Sequence, residues 1–124
     1  MHRKIKLEDL LVGIKYFIDH RFTDKNLCVK TISQIFELDQ TKKSKFLSKN
    51  LGIKFKEKYG YKISDQIRYL RIGLAKELMH EENLSISVIA NMCGFSNRIY
   101  FYRLFKETEK ISPSEYRTKL YSKQ

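Results

Sequence analysis

Arg98, Ile99, Tyr102 and Arg103 form the chemically most telling group in this 124-residue chain. Tyr100, Phe101, Leu104 and Phe105 fall at the spacing of one apolar helix face, which leaves those four side chains and Lys106 to point elsewhere. A helix that shows basic and hydrogen-bonding groups outward suits a DNA major groove. Arginine is the commonest reader of guanine O6 and N7, and Ile99 could meet a thymine methyl. Arg98, Ile99, Tyr102 and Arg103 are therefore the candidates for base reading, with Asn97 and Lys106 nearer the phosphates. The competing reading of Ile99 and Tyr102 is plain coverage of the helix surface, and both readings stand.

A second group is purely electrostatic. Lys42, Lys43, Lys45, Lys49, Lys54, Lys56, Lys58 and Lys62 crowd one segment against the single acid Glu57. Such a run is either a solvated face or a set of phosphate contacts, since neutralising phosphates releases counterions. In a basic domain with an outward-facing arginine helix the phosphate reading is preferred. Lys45, Lys49, Lys54 and Lys56 are its candidates.

The elements that must hold these residues are helices, and no segment reads as a convincing strand. Ile86, Ile89, Ala90 and Cys93 lie at helical spacing, Gly94 offers a turn with positive φ, and Ser96 or Asn97 can cap the next helix. Ser112-Pro113-Ser114-Glu115 is a capping box with proline in the first turn, so a last helix begins there. Upstream, Leu7, Leu10, Leu11, Ile14, Phe17 and Ile18 mark a first amphipathic helix ending near His20-Arg21. Val29, Ile32, Ile35 and Phe36 mark a second. A long helix capped by Ser64 carries Ile67, Leu70, Leu74, Ala75 and Leu78 and joins the two halves without any Pro/Gly-rich linker.

Composition narrows the function classes. A formal net charge of +11 and a pI near 9.7 call for an anionic partner, and 13% aromatics at core-like spacings argue against a disordered basic tail. Cys28 and Cys93 are too few for a disulfide framework or the usual zinc site; Cys93 reads as a buried thiol, and nothing near Cys28 suggests a lowered pKa. His2, His20 and His80 share no ligand spacing. Paired carboxylates, a Ser/His/Asp arrangement and a phosphate loop are all missing from the sequence, so neither an enzyme nor a cofactor is expected. No apolar run is long enough to span a bilayer and the N-terminus has no cleavage signal, which makes a cytoplasmic protein without a membrane partner the expectation. The alternative function is a basic helical module for acidic proteins or an anionic membrane surface.

GFSNRIYFYRLFK followed by SPSEYR resembles the second helix-turn-helix of the AraC/XylS family of bacterial transcription regulators. Residues 70–87, LRIGLAKELMHEENLSIS, resemble that family's linker helix; residues 27–39 resemble the first helix of its first motif and residues 55–64 the end of the recognition helix there. The resemblance implies an all-α, homeodomain-like fold of seven helices, with two helix-turn-helix subdomains (1–62 and 83–124) joined by a linker helix (63–82). It implies double-stranded DNA as partner, with recognition helices in successive major grooves roughly 34 Å apart. It also implies transcription activation through RNA polymerase, and an effector or dimerisation domain that is not among these residues.

Three positions depart from the family pattern. Between Asp39 and Gly60 there are about eight residues more than usual, close to two helical turns. They form either a recognition helix lengthened at its start, the preferred reading because Phe46 and Leu47 extend the stripe Leu51, Phe55, Tyr59, or an inserted loop. Counting back from Gly60, Gly52 and Ile53 occupy positions where the family often carries a long polar side chain and an arginine. Lys110 stands where the family has glycine after the second recognition helix.

Overall fold

The structure, a computed structural model, describes residues 7–35 and 42–122, with the backbone path alone for 42–49. Every regular element among them is a helix: α1 Leu7–Arg21, α2 Val29–Ile35, α3 Lys42–Tyr59, α4 Ile63–Leu78, α5 Ile86–Met92, α6 Arg98–Glu109 and α7 Pro113–Ser122. They make two compact units that divide within α4, one of residues up to Phe22 with Asn26–Arg68, the other of Thr23–Lys25 with Tyr69 onward.

In the first unit, Leu10, Leu11, Ile14 and Ile18 of α1 bury the face their spacing predicts, and Ile32, Leu51, Phe55, Ile63 and Ile67 are buried in the same unit. The second helix is less apolar inside than its sequence suggests. Only Ile32 of α2 is buried; Val29 and Ile35, three residues to either side of it, are exposed. Phe36 lies outside the described residues. Tyr59 closes the core, its ring 4.8 Å from Phe55. The segment before it is helical from Lys42, so the added residues lengthen this helix and do not form an inserted loop; the side chains of Phe46 and Leu47 lie outside the described residues.

The second unit gathers Ile72 and Ala75 of α4, Met79 just after it, Ile89, Ala90 and Cys93, and Phe95, Phe101 and Phe105 into one core. Here α4 differs from the expected stripe. Leu70, Leu74 and Leu78 are only half-buried, whereas Ile72 within the helix and Met79 just after it are fully buried. Ser64 is also not the cap: α4 starts at Ile63, whose side chain is buried, and the Lys62 carbonyl accepts from Gln66 N–H at 3.1 Å. The carboxyl end of α4 is held by α7. Arg117 donates to the carbonyls of Met79 (3.3 Å) and Glu81 (2.8 Å), and the Tyr121 hydroxyl donates to Met79 (3.0 Å), which satisfies carbonyls a helix end leaves open. At the start of α7 the Ser112 hydroxyl accepts from Glu115 N–H at 3.1 Å and Pro113 is the first helical residue.

The two units repeat one register. Leu51 and Phe101, Phe55 and Phe105, Gly60 and Lys110, and Ile63 and Pro113 are each fifty residues apart and play matching parts: two buried helix positions, a left-handed residue after the helix, and a buried start to the next. Ile32 and Ile89, both fully buried on the preceding helices, are fifty-seven apart. The extra length of the first unit therefore lies between Ile32 and Leu51.

Among the described residues Lys110 alone combines a side chain with positive φ, at 70°, beside Gly60 at 83° and Gly94 at 103°. Its N–H still bonds the Lys106 carbonyl at 2.8 Å, so the helix ends normally while Cβ sits in a disfavoured region. Lys110→Gly should raise stability by about 1 kcal/mol, a rise of a few degrees in Tm for a chain of this size, read by circular dichroism. An unchanged or lower Tm would show that the left-handed lysine costs nothing here.

Candidate nucleic-acid interface

The turn between α5 and α6 is built from backbone geometry first. The Ser85 hydroxyl caps α5 by accepting from Val88 N–H at 3.1 Å. At its other end Gly94 N–H bonds the Asn91 carbonyl (3.2 Å) and Phe95 N–H bonds the Ala90 carbonyl (3.0 Å), the paired hydrogen bonds that close a helix on a left-handed glycine. Phe95 then enters the core, 5.0 Å from the Phe101 ring. Of the two cap candidates, Asn97 is the one used: its Oδ1 accepts from Tyr100 N–H at 3.0 Å, and α6 starts at Arg98.

Phe101 and Phe105 are fully buried, and this sets the outward face of α6. Arg98, Arg103 and Lys106 are exposed, and Ile99 is 77% exposed, the largest value among the described large apolar side chains. Arg103 lies with its guanidinium 5.7 Å from the centre of the Tyr100 ring, a cation–π contact that holds the arginine along the helix. Tyr102 differs. It is half-buried and packs edge-on to Phe101 at 5.9 Å, so much of its ring belongs to the core's border. Arg98 borders a cleft of about 280 Å³ with Ser87, Asn91, Phe95 and Ser96, and Lys25 reaches the Asn91 side chain there.

On α3 the exposed face carries Gly52, Ile53 and Lys56. The lysines are less alone than the sequence count suggests. Lys54 is half-buried and pairs with Glu57 at 3.4 Å, and Lys58 pairs with Glu8 of α1, which holds the Lys58 ammonium above its ordinary pKa. Glu8 was invisible to a count confined to the segment, because only the fold brings α1 beside α3. The side chains of Lys45 and Lys49 lie outside the described residues.

The helix-turn-helix domain family matches this chain over residues 48–119. An uncharacterised HTH-type transcriptional regulator of Escherichia coli, YijO, is 30% identical over 91% of this chain and 37% of its own length. The xylose operon regulatory protein of Escherichia coli is 38% identical over 55% of this chain and 17% of its own. The chain thus spans about a third or less of these curated relatives. The C-terminal domain of the two-component response regulator yesN from Fusobacterium nucleatum superposes with a TM-score of 0.71 at 28% identity, covering 86% of this chain and 95% of that one. Among the described residues no helix is long and apolar enough to cross a membrane.

The two thiols report on the same elements. Cys93 ends α5 inside the core, and burial pushes its pKa up to about 12. Cys28 is exposed just before α2, and there the expectation of an unperturbed thiol is corrected. The Thr31 backbone N–H, helped by the Thr31 hydroxyl and by Lys30, stabilises the thiolate and lowers its pKa. At pH 8 a disulfide reagent should therefore modify one thiol per folded chain quickly and the second only on unfolding; Cys28→Ser should remove the fast phase. Two equally fast thiols would contradict the burial of Cys93.

Proposed function

This chain belongs to the AraC/XylS-type helix-turn-helix family of transcription regulators, and we propose that it binds double-stranded DNA sequence-specifically, with α3 and α6 in successive major grooves, and activates transcription. The observation that carries this reading is the outward face of α6. Ile99, Arg103 and Lys106 stand exposed on the side of the helix away from the buried Phe101 and Phe105, and Arg98 is exposed at its first position. In a helix-turn-helix the first residues of the second helix meet base edges, and here Arg98 and Ile99 hold that place. Arg103 follows on the next turn. Tyr102 contributes what its half-buried ring leaves at the surface. Asn97 spends its carbonyl oxygen on the helix cap, which leaves its amide N–H groups for a phosphate, beside Lys106.

The first unit supplies charge. Lys45, Lys49 and Lys56 are assigned to phosphates; Lys54 serves there in competition with Glu57. Regulation then requires a second partner, and RNA polymerase is proposed from the family resemblance. An effector or dimerisation domain, if the protein has one, lies outside these residues, as the greater length of the curated relatives suggests. A DNA-binding domain of this family is not an enzyme class.

Charge-led binding to a duplex is strongly salt-dependent: with about 6–10 phosphates neutralised, affinity should fall roughly 10³–10⁵-fold between about 50 and 200 mM salt. Against that background the two units separate. Replacing Lys45, Lys49 and Lys56 by Ala should weaken specific and random duplex alike and lower the salt slope by roughly one unit per lost contact. Arg98→Ala or Arg103→Ala should cost about 1–3 kcal/mol on the preferred site and much less on random duplex. Loss of discrimination in the lysine variant, with discrimination intact in the arginine variants, would reverse the assignment.

A further inference from the structure

Gly52 stands in the middle of α3 with no packing reason to be glycine. It is exposed, its φ is not positive, and a Cβ placed on it meets no atom within 4 Å. Glycine inside a helix weakens that helix relative to alanine, so the position gives up stability without any return in the free chain. Its neighbour Ile53 is 59% exposed, and Val29 of α2, 39% exposed, lies beside both in an apolar groove of about 310 Å³ rimmed by Lys56 and Lys62. In the register shared by the two units, Gly52 and Ile53 match Tyr102 and Arg103, and Lys56 matches Lys106. The helix that corresponds to α6 thus carries a bare position and an isoleucine where α6 carries a ring and a guanidinium.

We propose that Gly52 and Ile53 form a thymine-reading surface, in which the Ile53 side chain packs on a thymine C5-methyl group in the major groove and the missing Cβ of Gly52 lets the backbone of α3 come that close. This rests on the duplex-binding reading above. An isoleucine offers no hydrogen bond, and the methyl of thymine is the one apolar group that the major-groove edge of a base pair presents. The lysines at the rim suit the phosphates on either side, so charge and apolar surface fit one occupant. Glycine is the residue that permits such an approach of backbone to ligand. The first unit then contributes sequence information of a different chemical kind from the second, methyl contact in place of guanidinium forks.

The test uses the full chain and a duplex selected from a random pool, in which single thymines are exchanged for deoxyuridine, a change that removes only the methyl. Exchange at one or two thymines should weaken wild type about threefold to fivefold per methyl. Ile53→Ala should be insensitive at those same positions and Ile99→Ala should keep the sensitivity. Gly52→Ala should raise Tm by a few degrees, through helix propensity, and yet bind the thymine duplex several-fold more weakly. Because that variant gains stability, weaker binding cannot come from misfolding. The proposal is overturned if uracil is silent at every position, if the sensitivity disappears with Ile99→Ala instead, or if Gly52→Ala binds as wild type does. Should no duplex be enriched at all, the DNA reading falls with it; if enrichment follows Arg98 and Arg103 but uracil is silent, only the thymine surface is lost.

Discussion

Burial of Phe101 and Phe105 decides which side of α6 the solvent sees. A helix has one angular position for each residue, so once two rings four apart are fixed in the core, Ile99, Arg103 and Lys106 have no choice of direction, while Arg98, three residues before Phe101, is exposed at the first position of the helix. The rings are fixed in turn by Phe95, which the glycine turn delivers to the core, and by Tyr116 of α7 at 5.4 Å from Phe105. Removing either ring would cost about 3–5 kcal/mol by the usual scale of buried aromatic truncation, a large share of the stability of a small domain. The functional face and the core are therefore one arrangement seen from two sides.

The first unit obeys the same constraint with different chemistry outside. Leu51 and Phe55 fill the places of Phe101 and Phe105, and Gly60 takes the left-handed place that Lys110 occupies at some strain. What differs is the outer face. Two lysines of α3 pair with Glu57 and Glu8, leaving the exposed middle of the helix to Gly52, Ile53 and Lys56. Matching core positions thus carry two unlike surfaces.

Most of this architecture was readable from residue spacing. The α5–α6 turn, the capping of α7 and the apolar face of α6 follow from local rules, because each depends on residues within a turn or two of each other. Recognition of the family added what spacing does not contain, the pairing of two motifs around a linker helix. The failures are equally physical. Ser64 was misread as a cap, and of the expected apolar stripe of α4 Ile67 and Ala75 are buried whereas Leu70, Leu74 and Leu78 stay half-buried, because a helix rich in apolar residues offers neighbouring faces and tertiary contacts choose between them. Cys28's lowered pKa depends on backbone N–H groups whose direction exists only once α2 has formed. The Lys58–Glu8 pair spans fifty positions, beyond any local count. The repeat of register between the units rests on the left-handed residues and helix starts, which residue spacing alone does not mark.

The central claim is that both recognition helices of one chain read one duplex. Selection of bound sequences from a random duplex pool tests it most directly. The account predicts a recovered site with two blocks about one helical turn, roughly 10–10.5 base pairs, apart centre to centre, as the family layout implies; one block should hold guanines whose enrichment is lost with Arg98→Ala or Arg103→Ala. A single short block, unchanged by variants in α3, would contradict it.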